Sequence, residues 1–362
     1  MRTPRLFDSV IAACLAFSVS GCAKPGSPTL AASNTAQPAQ AGKDFTRPIQ
    51  VSQLRERSLA TIEAAARDKS AEVRTNAMEA AGAAPSRLWN VIGVGLKDEN
   101  PAVRAVATIM VGKHQIRELA AATRPLRDDR SPYVRAAAIF AGARCGEQVD
   151  PSPLASMVLE DPSPRLRSHA AFLLGEMGDK SAAGLLRQAA RSPLNKASPA
   201  ERTLFDLQVA EALVKLGDDD SLQPLRAALY PSRPEDLEGT ALAVQILGNL
   251  RDRTSADQLI YLSAFRDPSG QYMPAEVRIA VATSLARIGL KNGSFIADQY
   301  WTSQTPAVRA QAAFAYGYIG GVSSMAKLDI LLEDPDPRVR IAAAAGVLIL
   351  MENAGGRGPS AT

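Results

Sequence analysis

An aspartate followed six positions later by an arginine recurs along this chain at a nearly constant interval. The pairs are Asp68/Arg74, Asp98/Arg104, Asp129/Arg135, Asp161/Arg167 and Asp334/Arg340, usually with a valine before the arginine. Arg278 and Arg309 continue the series in "EVRIAVATSLARIG" and "AVRAQAAFAYGYIG". Two degenerate copies, "FDLQVAEALVKLG" and "EGTALAVQILGNL", place Asp206 and Thr240 at the arginine position. The nine anchors thus stand at 74, 104, 135, 167, 206, 240, 278, 309 and 340, separated by 30 to 39 residues. A period of that length is one supersecondary unit. It cannot bury its apolar face alone, so the units must stack and share a core.

Each unit reads as a short helix, an Asp/Pro turn and a second helix that begins at the Val-Arg. The aspartate can accept backbone N–H groups at the second helix start, and Pro101, Pro132, Pro164 or Pro337 stops the first helix. Apolar residues then recur at helical spacing, as in Ala170, Ala171, Leu174 and Met177, or Ala312, Ala313, Tyr316 and Ile319. Composition agrees: 46% of the 362 residues are hydrophobic but only 5% are aromatic, and alanine supplies much of the difference. That favours closely packed helices over a sheet. The fold class is all-α, an α-solenoid of about nine stacked helix pairs over residues 49–353. At about 10 Å per pair it would run near 90 Å.

The repeat resembles the short HEAT-like repeat, including the subset known from phycobilin lyases. The resemblance implies a superhelix whose concave face is lined by the second helices. It also implies a hydrogen-bonded Asp/Arg ladder between neighbouring units, so the five pairs named above are structural rather than catalytic. It says little about chemistry.

The N-terminus is a separate matter. Arg2 and Arg5 precede an uncharged run from Val10 to Val19, too short to span a bilayer. The run ends in Val19-Ser20-Gly21-Cys22, which resembles the bacterial lipobox. That resemblance implies removal of residues 1–21 and lipidation of Cys22. Ala23, where inner-membrane lipoproteins often carry aspartate, favours the outer membrane facing the periplasm. Residues 22–48 then form the lipidated cysteine and a flexible linker rich in Ala, Pro, Ser and Thr, and residues 354–362 a disordered tail. Cys14 leaves with the signal, so Cys145 is alone and is expected to be a structural thiol.

Units five to seven depart from the pattern together. Their turns swell into 192–203, 231–239 and 267–276, all between first and second helices and so on one edge of the array. Insertions on one face often mark the binding face of a repeat protein, although loop extension also costs little. Lys196, Arg202, Tyr230, Arg233, Tyr272 and Met273 are the candidate partner-binding rim. The concave surface competes with it, and His169, Glu176, Gln311 and Tyr318 are its candidates.

Motifs that carry chemistry are few. His114 and His169 lie in different repeats, and no His-x-x-x-His or Cys-x-x-Cys spacing is present, so no metal is expected. Asp218-Asp219-Asp220 lacks the ligand spacing of a calcium loop. There is no phosphate-binding glycine loop and no Gly-x-Ser-x-Gly. Trp89 and Trp301 read as packed first-helix residues. A net charge of +4, with the arginines mostly in the ladder register, does not suggest nucleic acid. The expected protein is therefore a non-enzymatic, envelope-anchored lipoprotein scaffold that binds one or more envelope proteins without a cofactor. A ligand- or glycan-binding or architectural envelope component is the alternative. A tetrapyrrole-handling lyase-type protein is the remote one.

Overall fold

Proline and a small polar residue start most of the second helices. Asn100 accepts the Ala102 N–H before Pro101, and Ser198 and Glu201 form a reciprocal capping box around Pro199. Pro101, Pro132, Pro164, Pro199, Pro306 and Pro337 are the first residues of their helices. There the missing N–H costs nothing and the fixed φ is already helical. The prolines therefore open the second helix rather than only stopping the first.

A computed structural model describes residues 44–195, 197–267 and 270–354, with only the backbone of Asn292. Among the described residues, eighteen α-helices form nine pairs. They are α1 (Pro48–Ala65) with α2 (Ala71–Ala81), α3 (Pro85–Gly95) with α4 (Pro101–Lys113), and α5 (Ala120–Thr123) with α6 (Pro132–Arg144). Next come α7 (Ser152–Glu160) with α8 (Pro164–Met177), α9 (Ala183–Arg191) with α10 (Pro199–Lys215), and α11 (Leu222–Ala227) with α12 (Leu237–Asn249). The last are α13 (Ala256–Ala264) with α14 (Ala275–Ile288), α15 (Ser294–Ala297) with α16 (Pro306–Ile319), and α17 (Gly321–Leu331) with α18 (Pro337–Ala354). The even-numbered helices are the continuous ones. Several odd-numbered helices shrink to a turn or two beside short 3₁₀ segments, as at 117–119 and 291–293. Among the described residues, no helix is long and apolar enough to cross a membrane.

The even-numbered helices pack in succession, each on the next, by a rule that repeats. Gly112, Gly175, Gly248 and Gly317 all stand eight residues after their anchor. A Cβ on any of them would lie 2.7–2.9 Å from the Cα of the residue six after the next anchor: Ala141, Ala212, Ser284 and Gly346 respectively. Backbones approach this closely only where a side chain is missing or minimal. Alanine-rich inner helices are the price of that spacing, and the buried Ala136–Ala138 and Ala342–Ala345 runs show it.

The array does not end. Helix α18 packs against α1 and, less extensively, against α2, so the last unit meets the first, although here the first helix α1 takes the larger share of the contact. Arg57 of α1 bridges to Asp329 and, at 2.5 Å, to Glu333, while Arg338 lies 3.5 Å from Glu72. One apolar cluster runs through this seam, joining Leu54 and Ile62 of the first pair with Val347 and Leu350 of the last. A smaller cluster fills units five to seven. The solenoid curls through a full turn and closes into a ring. The expected 90 Å run is therefore wrong as a length, because the accumulated curvature makes it a perimeter.

Candidate functional site

The Asp/Arg ladder fixes the register of everything else. Arg74 Nε and Nη2 grip the Asp98 carboxylate of the next unit at 2.7 and 2.9 Å. Arg104 does the same to Asp129 at 2.9 and 3.0 Å, and Arg309 to Asp334 at 2.8 and 2.9 Å. Each arginine also donates to its own turn, as Arg74 does to the Asp68 carbonyl at 2.9 Å. Each aspartate accepts the N–H two residues on, from Ser70, Asn100, Ser131, Ser163 or Asp336. The fork beside Asp98 outweighs burial, so its carboxyl is held below the ordinary range. The rungs are not continuous. Arg135, Arg167 and Arg340 keep backbone contacts only, to Asp129, Asp161 and Asp334.

A second set of rungs runs along the opposite edge. Arg187 bonds Asp218 at 2.7 Å and Arg226 bonds Asp252 at 2.9 Å. The first carboxylate of the Asp218-Asp219-Asp220 run is thus an inter-unit tie. Among the described residues, no group of three potential ligands could hold a metal ion.

The long turns do emerge together, at the N-terminal ends of α10, α12 and α14. Their candidate rim residues fare differently. Lys196 lies outside the described residues, as does Cys22. Arg202 is not a free contact: it bonds Asp206 at 2.8 Å, the Ser192 carbonyl at 2.9 Å and the Ala190 carbonyl, filling the place of the lost ladder arginine. Arg233 is exposed and folds back on Asp236 at 3.0 Å. Met273 is half-buried against the smaller core cluster. Tyr230 is 55% exposed and neighbours Tyr261, which in turn neighbours Phe265. Tyr272 is 44% exposed and lies between two guanidiniums, Arg266 at 3.8 Å and Arg278 at 4.3 Å from its ring centre.

The inner wall follows from the glycine rule. If residues eight and six after the anchor face the two neighbours, residues two, five and nine after it share a third face, within an arc of about 60°. That face holds His169, Gln208 and Gln311 at the first position. Glu79, Glu211 and Gln245 hold the second, and Lys113, Arg144, Glu176, Lys215 and Tyr318 the third. All four concave candidates are on it. Lys215 joins Glu176 at 2.5 Å and Glu211 at 2.6 Å, above the Phe172 ring. His169 is fully buried beside Tyr133, and its Nε2 donates to the Tyr133 carbonyl at 3.2 Å, which can only accept. Burial pushes its pKa down to about 4, against the smaller pull of that bond. Glu79 is half-buried by surface but lies deep in the wall. Desolvation pushes it up to about 8, opposed by Lys113.

Five of these side chains share one property. Arg144 Nε, His169 Nδ1, Gln208 Oε1, Gln245 Oε1 and Gln311 Oε1 are hidden atoms with no hydrogen-bond partner. Counting from the anchors would have found Gln208 and Gln245, but their units carry Asp206 and Thr240 instead of arginine.

Elsewhere there is no activated nucleophile among the described groups. Burial pushes the Cys145 thiol up, and its Sγ faces the Val111 carbonyl at 3.9 Å. His114 caps α4, lowered to about 4 by burial and by Lys113. Trp301 is half-buried, but Trp89, next to a kink at Leu88, is 45% exposed rather than packed.

Residues 151–242 match the family model for HEAT repeats. Among solved structures the chain is similar to human deoxyhypusine hydroxylase in complex with glycerol. The identity is 17% over 83% of this chain and 98% of that one, with a TM-score of 0.35. It is also similar to the complex of CpcE and CpcF of phycocyanin lyase from Nostoc sp. PCC7120, at 16% identity over 72% and 94%, TM-score 0.37. A designed armadillo repeat protein gives 13% identity over 72% and 98%, TM-score 0.29. No curated protein matches. The repeat match and the nine stacked pairs define the class: this is an all-α, HEAT-like repeat protein.

Proposed function

We propose that this chain is a non-enzymatic scaffold of the cell envelope, anchored by lipid on Cys22, that binds a protein partner through the inner wall of its ring. The five hidden, unpartnered polar atoms at Arg144, His169, Gln208, Gln245 and Gln311 carry the reading. Each such atom costs about 1–3 kcal/mol when left unpaired. Five along one face, with Arg144, Gln245 and Gln311 half-buried, give the wall unused polar capacity that a side-chain rotation can turn toward a partner. A polypeptide offers alternating N–H and C=O groups, which amide side chains can pair with.

The test is in-cell crosslinking followed by pull-down, comparing wild type with a Gln208→Leu/Gln245→Leu/Gln311→Leu variant of unchanged helicity. One envelope protein enriched with wild type and lost with the variant supports the reading. Equal enrichment with both, or with neither, sinks it. The anchor is tested separately: Cys22→Ala should leave an uncleaved precursor without acyl mass, and a wild-type mature start elsewhere refutes the lipobox.

The exposed Tyr230 and Tyr261, with the half-buried Phe265 beside them, favour a second reading, in which the ring binds glycan by ring stacking. Retention on envelope glycan that survives the glutamine substitutions but fails in Tyr261→Ala would select it.

A further inference from the structure

Arg278 occupies the ladder position of the seventh unit, yet no carboxylate meets it. It is only 4% exposed. Its Nη1 donates to Tyr300 Oη at 2.6 Å and to Gln299 Oε1 at 2.9 Å, and its Nε to the Ser263 carbonyl at 3.3 Å. The Tyr272 ring covers it, and Arg266 covers the other face of the same ring. Arg266 bonds Tyr272 Oη at 2.6 Å and the Gly270 carbonyl at 2.8 Å. Among the described residues neither guanidinium makes an ion pair, and Arg278 Nη2 has no hydrogen bond. Two cations bracketing one ring, one of them buried, want a counter-charge that the described residues do not supply.

The ring itself shows what fits there. In units one, two and eight the equivalent guanidinium is closed by an aspartate from the next unit, in a two-pronged grip. The geometry points to the Arg266–Tyr272–Arg278 stack as a carboxylate-binding site, completed by an aspartate or glutamate of an acidic segment in the protein partner. Arg266 and Tyr272 are exposed and reach the incoming group, while Arg278 supplies buried charge behind them. Arginine and tyrosine together are the side chains that most often anchor an interface. The neighbouring Phe265 and Tyr261 offer apolar contact beside the charge. The inference rests on the scaffold reading and names the chemistry of its partner.

A labelled ten-residue glutamate-rich peptide with one phenylalanine, titrated into the full chain and followed by anisotropy, tests it. Its glutamine counterpart is the control. The glutamate peptide should bind at least tenfold more tightly, and 0.5 M salt should weaken it. Arg266→Gln, a surface change, should lose tenfold. Gln299→Glu puts a carboxylate on Arg278 from within; it should raise the melting temperature and lower peptide affinity tenfold. Equal binding of both peptides, no binding, or an unchanged Arg266→Gln variant overturns the site. Inorganic phosphate that binds through Arg266 while the glutamate peptide does not overturns the carboxylate. If the peptide fails but crosslinked capture holds, only this inference falls. If the peptide binds as expected but capture fails, the scaffold reading falls and the site stands.

Discussion

Arg57 and Asp329 stand 272 residues apart in the chain and share an ion pair that joins the last helix pair to the first. The pair is partly solvated, so it is worth about 0.2–1 kcal/mol, and burial of Leu54 and Ile62 does most of the closing. Arg57→Glu should therefore cost at most about 1 kcal/mol and leave the ring shut. Leu54→Asp, which places a charge in the seam, should open it. Small-angle scattering reads the difference: a larger radius of gyration for Leu54→Asp at unchanged helicity, and none for Arg57→Glu.

The glycine rule predicts opposite signs for two similar substitutions. Gly317→Ala would press a methyl 2.8 Å from the Gly346 Cα and force α16 from α18, costing about 1–3 kcal/mol. Gly184→Ala in α9 meets nothing within 4 Å and should gain about 0.5–1 kcal/mol from helix propensity. Urea midpoints at constant slope would check both.

A rung gripped by arginine should behave unlike one that is not. Asp98→Asn takes the two-pronged carboxylate from the buried Arg74 guanidinium and leaves it only the exposed Glu99 at 3.4 Å, and should cost about 3 kcal/mol. Asp161→Asn keeps the bond from Ser163 and loses no guanidinium, so its cost should stay below about 1 kcal/mol. A result in which the two cost the same, measured by thermal melting, would argue against the grip as the stabilising feature.

Acid should destabilise the ring through His169. Its folded pKa of about 4 lies below the unfolded value near 6.5, so the unfolded chain binds the proton first. Its contribution is present above pH 6.5 and is lost as pH falls toward 4. Glu79 works the other way. Raised to about 8, it contributes below its unfolded pKa and loses that contribution as pH rises through 8. Melting temperature against pH should flatten on the acid side in His169→Gln and on the alkaline side in Glu79→Gln.

The nine pairs were legible because the Asp/Arg anchor and the apolar spacing repeat in every unit or in its degenerate copy. Closure was not, since it depends on a small rotation per unit adding up to a full turn, and no single residue encodes that sum. Arg57 belongs to no motif. Arg202 looked available on the rim because sequence cannot show that a longer turn bares the Ala190 and Ser192 carbonyls to it. Arg278 was recognised as an anchor, but its want of a carboxylate depends on Gln299 and Tyr300 arriving where an aspartate stands elsewhere. Arg266 lies outside the register and gave no signal.

An open stack of helix pairs can gain or lose a unit and still have two ends to leave in water. A closed one has a fixed denominator: nine steps make the circle, and ten or eight would not meet. Duplication of a unit, the ordinary way such proteins vary, would here unseat Arg57 from Asp329. New length can enter without adding a step between the helices of a pair, where the turns at 192–203, 231–239 and 267–276 already hold it.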